Sequence, residues 1–132
     1  MGAIIGETEK LTINLGVVDL GQIDLLVQEG FYSNRTDLIR TAVRNQLAAH
    51  GEEVKRTVAR RTLVLGMQSL GRTELERAVA EGQMLQIQVV GLARIADDVT
   101  PELALAAIRS IEVLGAFHAS PAVRTALADR IL

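Results

Sequence analysis

The chain has no cysteine and no tryptophan, two prolines, and three aromatic residues in all, Phe31, Tyr32 and Phe117. The lack of cysteine removes disulfide frameworks and thiolate zinc sites, and it is compatible with a reducing cytoplasm. So few rings argue against a stacking platform for single-stranded nucleic acid. No apolar stretch reaches the ~18 residues of a membrane span. Met1-Gly2-Ala3-Ile4-Ile5-Gly6 has neither the basic nor the apolar region of a secretory signal, so the sequence reads as a soluble, cytoplasmic protein. There is no glycine-rich phosphate loop, no nucleophile elbow and no metal motif, and the two histidines, His50 and His118, lie far apart in the sequence. An enzyme is not expected, nor a cofactor or a metal. What is present is 132 residues, 48% hydrophobic and 23% charged, a globular composition that fits one ordinary domain or two small ones.

Net charge is −2, which weighs against any partner bound through phosphates, and the distribution matters more than the total. Residues 1–50 carry four basic and six acidic side chains, 51–61 four and two, and 62–132 six and eight. Only the junction holding Lys55, Arg56, Arg60 and Arg61 is locally basic. A nucleic-acid partner would therefore have to be held by a few placed cations and by helix N-termini.

Lys10-Leu11-Thr12-Ile13-Asn14-Leu15 alternates strictly between polar and apolar residues, the period-two pattern of a strand with one buried face. Leu11, Ile13 and Leu15 face a core, and Lys10, Thr12 and Asn14 face outward. Gly16 ends the strand, and Asp19 can cap a helix bearing Leu20, Ile23, Leu26 and Val27 at helical spacing. Gly30 stops that helix. Ser33 or Asn34 begins a second helix with a stripe of Leu38, Ile39, Ala42, Val43, Gln46 and Leu47, and Gly51 marks its end. Within it Asp37 and Arg40, three residues apart, are expected to pair with each other. One six-residue strand cannot satisfy both of its own edges. Its nearest complement is the same strand from a second subunit, giving a two-fold dimer with an antiparallel ribbon over four helices.

The run from Leu11 to Leu15, then Leu20 and Ile23-Asp24-Leu25-Leu26, then Glu29-Gly30-Phe31-Tyr32-Ser33-Asn34-Arg35-Thr36-Asp37-Leu38-Ile39-Arg40, resembles the ribbon-helix-helix family of the Arc, MetJ and CopG type. The resemblance covers about residues 9–50. It implies an obligate dimer whose ribbon enters the major groove of double-stranded DNA, with Lys10, Thr12 and Asn14 contacting bases and Ser33, Asn34 and Arg35 contacting phosphate. The side chains suit those roles: Lys donates to guanine O6 or N7, Asn pairs with adenine through two bonds, and Thr bonds or touches a thymine methyl. Gly16 departs from the proline frequent at that position in the family and should loosen the turn without changing topology.

Residues 51–61 read as a basic linker or an extension of the second helix. Beyond them, Leu63-Val64-Leu65-Gly66, Val89-Val90-Gly91 and Val113-Leu114-Gly115 set an apolar run before a glycine at intervals of 25 and 24 residues. Each is followed by a helix signal: Thr73 with Leu75 and Val79, Thr100-Pro101 with Leu103, and Ser120-Pro121 with Val123 and Leu127. The pattern predicts three βα units with parallel strands side by side and helices on one face. The fold class expected is α+β. A ribbon-helix-helix domain occupies residues 1–50, and a small α/β domain of about three βα repeats, serving oligomerisation, occupies residues 62–132. Asp97 and Asp98 sit in a loop as solvated or capping acids.

The functional expectation is a sequence-specific DNA-binding regulator, a repressor, that reads an operator as a homodimer and assembles into a higher homo-oligomer through residues 62–132. Two other classes remain open. One is an antitoxin that binds a protein partner through its C-terminal half. The other is a scaffold or filament former that uses the ribbon only to dimerise.

Overall fold

The computed structural model describes residues 8–132, so the reading of Met1–Gly6 lies outside the described residues. The described chain divides into two compact units, Thr8–Thr57 and Val58–Leu132. That division falls inside the basic segment 51–61.

In the first unit, residues 8–16 carry no regular secondary structure, and helices α1, Val17–Gln28, and α2, Arg35–Ala49, follow; a third helix, α3, Gly51–Arg60, runs across the division. Gly16, extended at φ −61° and ψ 147°, is the N-cap of α1, and its carbonyl accepts the Leu20 amide at 3.0 Å. The helix thus begins ahead of Asp19, which sits instead in the first turn, where the helix dipole favours an acid. Gly30 ends α1 as expected, at φ +87°. The Phe31 amide reaches Leu26 O at 3.0 Å and the Gly30 amide Val27 O at 3.1 Å, the Schellman pairing that only a left-handed residue permits comfortably. Helix α2 closes at His50, and Gly51 is the first residue of α3 rather than the stop of α2. The Val54 amide already bonds to His50 O at 3.0 Å, so the chain re-enters a helix at once.

The second unit is built from β1 (Val64–Leu70), α4 (Arg72–Ala80), β2 (Leu85–Ile95), α5 (Pro101–Ala107), β3 (Ile108–His118), α6 (Pro121–Ala126) and a 3-10 turn, Ala128–Arg130. The strands form one parallel sheet in the order β1-β2-β3. Thr100 Oγ1 accepts the Leu103 amide at 3.2 Å and Ser120 Oγ accepts the Val123 amide at 3.3 Å, so both Thr-Pro and Ser-Pro start their helices. For α4 the cap is Gly71 rather than Thr73, and the Glu74 carboxylate reaches back to the Gly71 amide at 3.0 Å. Leu75 and Val123 from the helices, Leu127 just after α6, and Ile87, Val89, Ile108 and Ile111 from the strands are fully buried together. Parallel βα repeats account for this core, because each helix covers the inward side chains of the strands it joins.

The three glycines that follow the apolar runs lie within the strands. Gly66, Gly91 and Gly115 are register partners in one row across the sheet, at φ +129°, +136° and +122°. L side chains avoid that region. A Cβ on Gly91 would stand 2.0 Å from Gly66 O, and one on Gly115 2.1 Å from Gly91 O. The 25- and 24-residue spacing of the glycines is therefore the register of the sheet, fixed by backbone contacts that leave no room for a side chain.

The row predicts a graded mutational response. Gly66→Ala meets nothing within 4 Å and should cost only backbone strain, about 1–3 kcal/mol. Gly91→Ala and Gly115→Ala should cost more and abolish cooperative unfolding of the C-terminal unit, read by urea denaturation followed by circular dichroism. Equal costs at the three positions would contradict the row.

Candidate nucleic-acid interface

The residues expected to read bases, Lys10, Thr12 and Asn14, all lie exposed in the segment before α1. So do their apolar neighbours: Leu11 is 82% exposed, Ile13 54% and Leu15 41%. No strand partner for this segment occurs within the chain among the described residues. Helices α1, α2 and α3 contribute no buried residue either, and Val43 and Leu47 of α2 stand open. Leu20, Ile23, Val27, Leu38 and Ile39 are half-covered, each helix shielding the other. An apolar stripe of this size is left in water only where something else covers it.

The phosphate-contact candidates meet at the start of α2. Asn34 is its N-cap, and its side-chain oxygen accepts the Asp37 amide at 2.8 Å. Asp37 answers by accepting the Ser33 amide through Oδ2 at 3.0 Å. This reciprocal cap corrects the expected Asp37–Arg40 pair: the carboxylate is taken by the backbone, and no ion pair joins those two residues among the described ones. With Asn34 and Asp37 fixing the turn, the amides of Arg35 and Thr36 open the helix at its positive end.

Arg35 does not point free of the fold. Its Nε donates to Asp24 Oδ1 at 2.7 Å and its Nη2 to Asp24 Oδ2 at 2.8 Å, a two-pronged bond from the start of α2 to α1. Hydrogen bonding from Arg35 holds the Asp24 carboxyl below the usual carboxylate range and, in return, raises the guanidinium. Both side chains are about half exposed, so water screens the pair, and its value is geometric more than energetic. The sequence reading missed this contact. The Asp24–Arg35 separation of 11 residues crosses a turn, beyond the reach of helical periodicity.

Of the basic junction, Lys55 lies 3.9 Å from Glu52, and Arg61 pairs with Glu112 of β3. His50 pairs with Glu53. At the other end of the sheet, Arg94, Asp97 and His118 border an open cleft of about 370 Å³ at the carboxyl ends of β2 and β3. Among the described residues no three His, Asp or Glu side chains converge to hold a metal ion, and no helix is long and apolar enough to cross a membrane.

The Asp24–Arg35 pair gives a pH prediction. A carboxyl whose folded pKa is depressed adds stability that is present above its ordinary value and is lost as pH falls through the lowered one. The Asp24 carboxyl followed by carbon NMR should therefore titrate at lower pH in the native chain than in Arg35→Met. Coincident midpoints would show that the pair does not persist in solution.

Comparison with curated proteins and with solved structures gives no match. A family model does match, that of the Ribbon-Helix-Helix transcriptional regulator family, over residues 6–124. The match runs well past the 9–50 region that carried the resemblance and takes in the three-stranded sheet. With an exposed alternating segment, two helices joined through Gly30 and a capped second-helix start all inside the matched region, the chain belongs to the Ribbon-Helix-Helix transcriptional regulator family.

Proposed function

We propose that the chain is a repressor that binds an operator as a homodimer, laying a ribbon of two residue 10–15 strands, one from each copy, in the major groove. The observation that carries this reading is the apolar stripe of the first unit, which has no buried residue in its helices and leaves Leu11, Ile13 and Leu15 in water. A second copy supplies the missing strand edge and covers those side chains, each worth about 1.5–3 kcal/mol when fully buried. Pairing puts Lys10, Thr12 and Asn14 on the outer face, where they contact bases, while phosphate meets the amides at the start of α2 and the Ser33 hydroxyl. Asn34 and Arg35 serve the phosphate by position: the first caps the helix, and the second ties it to α1. Occupying an operator is all that repression asks of such a protein.

The C-terminal unit, which has a buried core of its own, adds assembly beyond the dimer. Joined dimers on neighbouring half-sites gain effective concentration, which offsets the modest basic charge. The same core disfavours an antitoxin role, since toxin-binding segments are commonly disordered until bound.

Selection of duplexes from a random pool, followed by mobility shifts, tests the proposal. Binding should weaken steeply with salt. Asn14→Ala should relax sequence preference, losing about 1–3 kcal/mol of discrimination at its base pair. Arg35→Ala should weaken all duplexes alike. Ile13→Asp should abolish both dimer and DNA binding. Absence of duplex binding at low salt by the unmodified chain would sink the reading.

A further inference from the structure

The glycines of the row are crowded from one side. The position a side chain would take on Gly91 faces Gly66 O, and that on Gly115 faces Gly91 O, so each of these strands turns its glycine toward the carbonyl of the strand before it. Gly66 opens the row. It has the same backbone, φ +129°, yet among the described residues nothing lies within 4 Å of the place its Cβ would take. Strand β1 thus has the conformation of a strand with a predecessor.

The core-facing row is open at the same edge. Val64, Val89 and Val113 are register partners, and Val89 is 1% exposed where Val64 is 44% exposed. The opposite edge is finished by the chain itself: Ile131 pairs with Ile111 in a parallel bridge, and the Leu132 amide donates to Ile111 O at 2.7 Å. An edge of amides, carbonyls and half-bare valine is one that proteins cover.

The sequence holds a segment of matching pattern. Of eleven glycines, four follow two consecutive aliphatic residues, the first of them β-branched: Val64-Leu65-Gly66, Val89-Val90-Gly91, Val113-Leu114-Gly115 and Ile4-Ile5-Gly6. The first three form the row, and the fourth lies outside the described residues. It comes ahead of the others in the chain, as the row requires, because the strands follow sequence order across the sheet. Helix α4 precedes β2 and α5 precedes β3, and α3 stands in the same place before β1. Parallel neighbours need a crossover of a dozen or more residues, and residues 7–63 are ample for one. Glu7 departs from the pattern, standing where Met67, Leu92 and Ala116 follow their glycines.

We propose that Ile4-Ile5-Gly6 pairs with the open edge of β1 as a fourth parallel strand, with Gly6 in register with Gly66. The Gly6 carbonyl then meets Gly66 as Gly66 O meets Gly91. Ile4 covers Val64 on the core side, and Ile5 lies beside Leu65 on the other. In chain order the ribbon and its helices become an insertion between the first and second strands of a four-strand sheet, and the added strand anchors the chain directly ahead of Lys10.

The absence of cysteine allows a direct test in the full chain. Neighbouring strands lie about 4.8 Å apart, within the Cα separation that a disulfide spans. Ile5→Cys combined with Leu65→Cys should therefore close a disulfide inside one chain under mild oxidation, read as faster migration at monomer size on a non-reducing gel. Ile4→Cys combined with Leu65→Cys sets the thiols on opposite faces and should close at least about tenfold more slowly. Gly66→Ala added to the reactive pair puts a methyl group where the Gly6 carbonyl belongs and should slow closure about tenfold, with the circular dichroism of the remaining sheet retained. Equal rates for the two pairs, or no effect of Gly66→Ala, overturns the proposal. A disulfide that forms between chains and not within one gives the edge to a second copy and overturns it as well.

Discussion

A strand of six residues presents two rows of amides and carbonyls and can satisfy neither from within itself. Residues 10–15, whose alternation predicts such a strand, meet that constraint by standing without regular secondary structure in the single chain. Among the described residues, the segment holding Leu11, Ile13 and Leu15 has no ladder inside the chain, and the helices after it bury nothing completely. Local chemistry is nonetheless fully arranged: Gly16 opens α1, Gly30 closes it in a left-handed turn, and Asn34 and Asp37 cap α2 reciprocally. Such a unit has its turns decided and its core deferred. Proteins of the Ribbon-Helix-Helix family bind DNA and dimerise, and on the proposal above a second copy supplies what the single chain withholds.

The second unit meets the opposite condition. Its core is complete under the helices, and what it imposes is register. Three glycines with φ near the mirror-β region stand beside one another so closely that a methyl group on either of the latter two would overlap a carbonyl oxygen. A slip of β2 or β3 by one residue would place Leu92 or Ala116 against that oxygen and would turn the inward Ile87, Val89 and Ile111 outward as well. Backbone crowding and side-chain burial thus select the same pairing. The C-terminal Ile131 adds a parallel bridge at Ile111, and Arg130 Nη1 donates at 2.6 Å to Leu105 O and Ile108 O, closing the end of α5.

Much of this was legible in the amino acids, and the misses have physical causes. Thr100-Pro101 and Ser120-Pro121 mark helix starts because these signals are local, whereas the strand that period-two alternation predicts over residues 10–15 does not form in the single chain, where it has no partner edge among the described residues. The 25- and 24-residue glycine spacing carries the order of the parallel strands, but not that the strands continue through the glycines. The usual meaning of glycine in a strand is an interruption, and only a neighbouring backbone reveals that the strand continues through it. Asp19 and Thr73 were read as caps when Gly16 and Gly71 held those places, since a glycine can take the extended cap conformation without donating a side chain. The Asp24–Arg35 bond was invisible for a different reason: it depends on how α1 and α2 pack, which no window of sequence contains.

That bond also changes how an acidic chain can be thought to hold DNA. Arg35, the cation nearest the helix start, is committed to Asp24, and Arg61 of the basic junction is committed to Glu112. Two of the positive charges available for phosphates are therefore used to position backbone. What they position costs no net charge: amides at the start of a fifteen-residue helix, directed by a side-chain cap at Asn34. Helix dipoles and amides attract phosphate at short range and lose that attraction within a turn. A protein using them needs accurate placement more than a basic surface. In the proposed two-fold ribbon, one strand pairing would fix both helix starts relative to the outward side chains of Lys10, Thr12 and Asn14 in both copies. On that proposal the net charge of −2 is no objection to binding DNA.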